Sequence, residues 1–143
     1  PDFVIIARCD AMLVNGLDDV LARGDAYIEA GADMLFCEVR DSMDEVRALA
    51  SHFKDRVPLH WNYSPSPMVP RLSAKEVEAL GYKTCCFYVQ SLMSAAKTMQ
   101  EVMAEIRKTG SAETIEHRMI GFEDLWDIND MASIREMERK YAV

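Results

Sequence analysis

Two kinds of stretch alternate along the first 110 residues: short apolar runs, and longer segments with apolar residues three and four apart. Phe3-Val4-Ile5-Ile6-Ala7 is a continuous apolar run, the pattern of a strand buried on both faces. From Leu17 the spacing becomes helical, with Leu17, Val20, Leu21, Gly24 and Ile28 on one face and Gly31 as the stop. Met34-Leu35-Phe36-Cys37 reads as the second strand. Ser42 and Glu45 have capping-box spacing and open a helix whose inner face is Met43, Val46, Ala50 and Phe53. A third strand follows Val57-Pro58. Ser73 and Glu76 cap a short helix ending at Gly81, Thr84 to Val89 is the fourth strand, and a long helix runs from Ser91 to Lys108. That last helix is expected to turn Leu92, Ala95, Met99, Met103 and Ile106 inward.

Four strand–helix pairs in succession predict parallel crossover units. They are too few to close a barrel, which takes eight strands and about 250 residues. No glycine-rich phosphate loop supports an open nucleotide-binding sheet. The expected class is therefore α/β: residues 1–110 form half of an eight-stranded TIM-type barrel. Residues 111–143 form a helical tail, amphipathic from Glu116 to Tyr141, that packs on the barrel or on a neighbouring subunit. The chain enters its first apolar run directly after Pro1-Asp2, which leads us to expect one segment of a longer or processed protein.

Composition narrows the function. The 143 residues carry a formal charge of −8 and a pI near 4.8, which argues against nucleic acid or an anionic membrane as partner. No run reaches the length of a membrane span. Cys9, Cys37, Cys85 and Cys86 form no C-x-x-C pair and lie in or beside apolar runs, as buried reduced thiols of a cytoplasm-like compartment do. No cluster of His, Asp and Glu has the spacing of a self-contained metal site.

In parallel α/β folds the ligand lies beyond the carboxyl ends of the strands. Those ends carry Arg8 and Asp10, then Glu38 and Arg40, then Asn62, Ser64 and Ser66, then Tyr88 to Ser91. Arg8 offers a planar fork of donors suited to a carboxylate, and Glu38 suits a substrate hydroxyl or a proton transfer. Asn62, Ser64 and Ser66 alternate, so in extended chain they fall on one side, and Pro65 and Pro67 stiffen the turn. Structural readings stand beside these. Arg8 can simply pair with Asp10, Glu38 can pair with Arg40 or leave it to solvent, Asn62–Ser66 can be a polar turn, and His60 reads as a satisfied core histidine.

With these residues in view, the chain resembles the isocitrate lyase/phosphoenolpyruvate mutase superfamily. The motifs are Arg8-Cys9-Asp10-Ala11 after an apolar strand, where members usually read A-R-T-D-A, and Ala32-Asp33-Met34-Leu35-Phe36-Cys37-Glu38. Asn62-Tyr63-Ser64-Pro65-Ser66 matches the N-C-S-P-S of isocitrate lyases, with tyrosine for cysteine. The resemblance implies the C-terminal half of the barrel of a Mg2+-dependent oxo-acid lyase. Its substrate would be a 2-hydroxy di- or tricarboxylate such as methylisocitrate, isocitrate or dimethylmalate, cleaved to pyruvate or glyoxylate plus a dicarboxylate.

By position Arg8 and Glu38 would be the catalytic pair, and Arg8, Asp10, Glu38, Asn62, Ser64 and Ser66 would bind substrate. The metal ligands and the K-K-C-G-H loop belong to the N-terminal half of such barrels, so the isolated segment is expected to be inactive and to need that half as partner. The resemblance further implies a homotetramer, cytoplasmic, or mitochondrial in a eukaryote. Two alternatives remain open: hydrolase or mutase chemistry on oxaloacetate or phosphonopyruvate, and a non-catalytic binding module of the same fold.

Overall fold

The computed structural model describes residues 2–40 and 42–142. Contacts divide them into two compact units, Pro1–Leu92 and Met93–Val143. The first unit opens with β1 (Ile6–Cys9), the single turn α1 (Met12–Asn15) and α2 (Leu17–Glu29). It continues through β2 (Met34–Cys37), α3 (Met43–Phe53), β3 (His60–Asn62), α4 (Ala74–Ala79) and β4 (Thr84–Cys86), and reaches the start of α5 (Gln90–Thr109).

All the strand pairings are parallel. Ile6 stands opposite Met34 and Arg8 opposite Phe36, while His60 stands opposite Thr84 and Asn62 opposite Cys86. A single bridge, Leu35 to Leu59, joins the two pairs and sets the order β1-β2-β3-β4. Local chemistry supports each junction. Gly31 and Gly81 end their helices with φ of 95° and 104°, conformations that cost other residues energy. The Asp33 carboxylate accepts from the Ile5 N–H at 2.8 Å, while the Ile5 carbonyl accepts from Asp33 N–H and Met34 N–H. Ser73 and Glu76 form the full capping box. Ser42 caps α3 through the Glu45 N–H, but the Glu45 carboxylate reaches past it to the Arg40 N–H.

One face of the strands packs on helices. Cys9, Leu35, Cys37, Leu59 and Trp61 alternate along it and are buried with Val20, Val46, Leu49, Phe53 and Val77. The other face carries Ile6, Arg8, Met34, Phe36, Glu38, His60 and Asn62, none of them fully buried. This corrects the expectation of a first strand covered on both sides. β1 begins at Ile6 rather than Phe3, and Ile6 is 49% exposed, because no second layer among the described residues covers that face.

The second unit departs further from the pattern. No residue of α5 is buried, so Leu92, Ala95, Met99, Met103 and Ile106 are not inward within this chain. The helical tail is three pieces: a 3-10 helix (Glu113–Arg118), α6 (Phe122–Ile128) and α7 (Met131–Tyr141). The break before α7 falls at Asp130, left-handed at φ 50°, whose carboxylate caps the Ser133 N–H. No helix among the described residues is long and apolar enough to cross a membrane.

The tightest point of the helix layer is Gly24 against Phe53. A Cβ built on Gly24 would overlap the Phe53 ring, which is fully buried and has no room to retreat. Gly24→Ala should therefore cost up to about 2 kcal/mol, an overpacking cost of about 1–3 kcal/mol less a helix-propensity gain of about 1 kcal/mol. A urea midpoint lowered at unchanged slope is the expected result; an unchanged midpoint would mean that α2 and α3 do not meet so closely.

Candidate active site at the strand tips

The carboxyl ends of β1, β2 and β3 converge on a cavity of about 450 Å3. Arg8, Asp10, Glu38, Arg40, Ser64 and Ser66 contribute to its wall. Arg8 is the hub. Its Nε donates to Asp10 at 2.9 Å and its Nη2 donates to Glu38 Oε1 at 3.0 Å. Its guanidinium also lies 4.7 Å above the Phe36 ring, a favourable seat for a cation. The Arg8–Asp10 pairing that the sequence offered is made, whereas Glu38 pairs across to Arg8 rather than with Arg40. The Nη1 amino group has no partner among the described residues.

Glu38 is half-buried, and burial raises its pKa above the ordinary carboxylate value. The Arg8 charge and the neighbouring Asn62 amide oppose that shift, and Asp10 adds to it. Asn62 itself is not part of the cavity wall. Past β3, the Ser64 hydroxyl accepts from the Ser66 N–H and the Ser66 hydroxyl accepts from the Met68 N–H, each at 3.2 Å. Hydroxyls that accept from the backbone keep their own protons to donate. Tyr88, beyond β4, donates to Ser64 at 3.5 Å.

Other candidates separate from the site. His60 Nδ1 lies 2.7 Å from Thr84 Oγ1 and the imidazole stands edge-on to Phe36, a histidine satisfied within the fold. All four cysteines are free, and burial pushes the Cys37 thiol up to about 12, far from a reactive thiolate. His52 lies on the outer layer but is not a bare solvent residue: it joins Asp25 at 2.9 Å and Arg56 at 3.2 Å. Among the described residues no three His, Cys, Asp or Glu side chains converge as metal ligands. Sequence reasoning left Arg40 to solvent or to Glu38; its two-residue offset from Glu38 was the available signal that it shares the rim.

A family model described as phosphoenolpyruvate phosphomutase matches residues 1–107. The chain belongs to this family. Within the wider phosphoenolpyruvate mutase/isocitrate lyase superfamily, 2,3-dimethylmalate lyase of Eubacterium barkeri is 33% identical over 99% of this chain and 48% of its own length. 2-Methylisocitrate lyase of Bacillus subtilis is 34% identical over 89% of this chain and 42% of its own length. A phosphonopyruvate hydrolase solved in complex with oxalate and Mg2+ superposes with a TM-score of 0.86 at 26% identity, covering 99% of this chain and 50% of the hydrolase. The chain thus spans about half the length of the family relatives it matches, and its parallel βα units are the C-terminal half of their TIM-type barrel.

The raised pKa of Glu38 gives a testable sign. The folded state holds that proton more firmly than the unfolded chain, so this group's contribution to stability falls as pH rises through the window above the usual carboxylate value. Glu38→Gln should raise the unfolding midpoint at pH 7, with the gain shrinking as pH drops from 7 through that window. A gain that instead grew in acid would reverse the assignment.

Proposed function

We propose that this chain supplies the substrate-binding half of a carbon–carbon lyase acting on a 2-hydroxy di- or tricarboxylate of the methylisocitrate, isocitrate or dimethylmalate class. The products are pyruvate or glyoxylate and a dicarboxylate. One observation carries the reading: Arg8 is clamped between Asp10 and Glu38 at the strand tips, facing a cavity of about 450 Å3. Two relatives named as lyases of this substrate class support it. In this reading the free amino group of Arg8 binds a substrate carboxylate. Glu38, with its raised pKa, holds the 2-hydroxyl and takes its proton as the carbon–carbon bond breaks. Asp10 keeps the guanidinium in place. The Ser64 and Ser66 hydroxyls, with Asn62, hold the carboxylate of the second product.

The metal belongs elsewhere in this scheme. The family implies Mg2+, but the acidic residues here do not fit it: Asp10 and Glu38 already engage Arg8, and no third ligand joins them among the described residues. Its ligands, and the catalytic loop, would come from the N-terminal half of the barrel, with residues 1–110 as the C-terminal half and 111–143 as an added tail. The uncovered Phe122, Trp126 and Met137 suit packing on a neighbouring subunit of a homotetramer, which we place in the cytoplasm. Hydrolase or mutase chemistry on a phosphonate is the second reading, favoured by the family description. Glu38 weighs against it, because phosphonate-handling members usually carry histidine at that place.

The test is oxoacid release from methylisocitrate, isocitrate and dimethylmalate by the complete protein and by this chain alone. The complete protein should turn over at least one, and this chain none. Arg8→Ala in the complete protein should remove about 2–4 kcal/mol of transition-state stabilisation in kcat/KM. Turnover by the isolated chain, or an Arg8→Ala variant with full activity, would refute the assignment.

A further inference from the structure

The cavity wall carries a second cation for which the lyase reading assigns no role. Arg40 lines the same space as Arg8, and its side chain makes no ion pair among the described residues. Its backbone is held: the N–H donates to the Glu45 carboxylate at 3.3 Å and the carbonyl accepts from the Ser42 N–H at 2.6 Å. The first turn of α3 thus fixes where this side chain starts.

Charge counting then separates the two arginines. Among the lining residues the cations are Arg8 and Arg40 and the anions are Asp10 and Glu38. Both carboxylates sit on Arg8, at 2.9 and 3.0 Å, so that trio is net anionic by one charge. A ligand carboxylate reaching Arg8 gains directed hydrogen bonds there but little net Coulomb attraction. Among the described residues that line the cavity, Arg40 is the cation whose side chain no carboxylate engages.

We infer that Arg40 is a specificity-determining residue that reads a second anionic group on the ligand, selecting dicarboxylates over monocarboxylates. This deepens the proposed function and rests on it, since it requires that the cavity bind a carboxylate at Arg8. One end of the ligand is oriented by Arg8. The other end, if charged, meets Arg40 at the rim; if it is a methyl group, it leaves that arginine in water.

Equilibrium binding of succinate and butyrate to the complete protein, measured by calorimetry, tests the assignment. The two acids share a four-carbon length and differ in the second charge. Succinate should bind more tightly to the unaltered protein. Arg40→Gln should weaken succinate about five- to tenfold and leave butyrate unchanged, and Arg40→Lys should keep most of the preference. Equal weakening of both acids, or no change in either, would overturn the role of Arg40. Arg8→Gln is the control for the underlying reading and should weaken both acids. If it binds both as the unaltered protein does, or if the unaltered protein binds neither, the carboxylate site itself falls and the role of Arg40 with it.

Discussion

Everything in the first unit follows from the two-residue period of its strands. With side chains turning alternately to opposite faces, one set must pack on helices and the other must face inward. Leu35, Leu59 and Trp61 go to the helix layer, where Val20, Val46 and Phe53 meet them and water is excluded. Arg8, Phe36, Glu38 and Asn62 go to the inner face and its upper rim. A slip of one residue would exchange the two sets, burying Arg8 and Glu38 against the helices. The Asp33 carboxylate on the Ile5 N–H and the Leu35–Leu59 bridge hold that register. The site exists because the core does.

The rim is consequently an electrostatic balance rather than a single charged hook. Arg8 satisfies two carboxylates, so neither is left as an unpaired charge at a half-buried position. Burial keeps Glu38 reluctant to ionise while Arg8 and Asn62 restrain the shift. A carboxyl held between those opposing influences is one whose protonation responds to small changes around it. The serines add neutral donors, which bring no charge that would disturb this balance.

Much of this was legible in the residue pattern, and the reason is local. Glycine stops at Gly31 and Gly81, the Ser73 cap, and the polar residues after each apolar run depend on neighbours a few positions away. The grouping of Arg8 with Glu38 was legible too, since parallel strands bring their tips to one end. What was not legible depended on distant surroundings. The run Phe3–Ile6 and the apolar stripe of α5 both read as buried, because hydrophobic spacing says that a face needs covering and not whether this chain covers it. The sharing of Arg8 between two acids was beyond reach for the same reason: spacing lists its neighbours, and only distances choose among them. The tail broke at Asp130 because a backbone in the left-handed region cannot continue a helix, a choice that composition does not announce.

The open sheet has a consequence for symmetry. Among the described residues β1 pairs on one side only, with β2, and β4 on one side only, with β3. In a parallel sheet these two free edges are different surfaces, and each presents unpaired N–H and C=O groups that invite another strand. Any partner that satisfies the β1 edge with a strand like β4 makes a head-to-tail joint, and such joints either close into a ring or propagate. Strand tilt and stagger select between the two, so the same twist that shapes the cavity also decides whether the sheet closes into a barrel or grows into a filament.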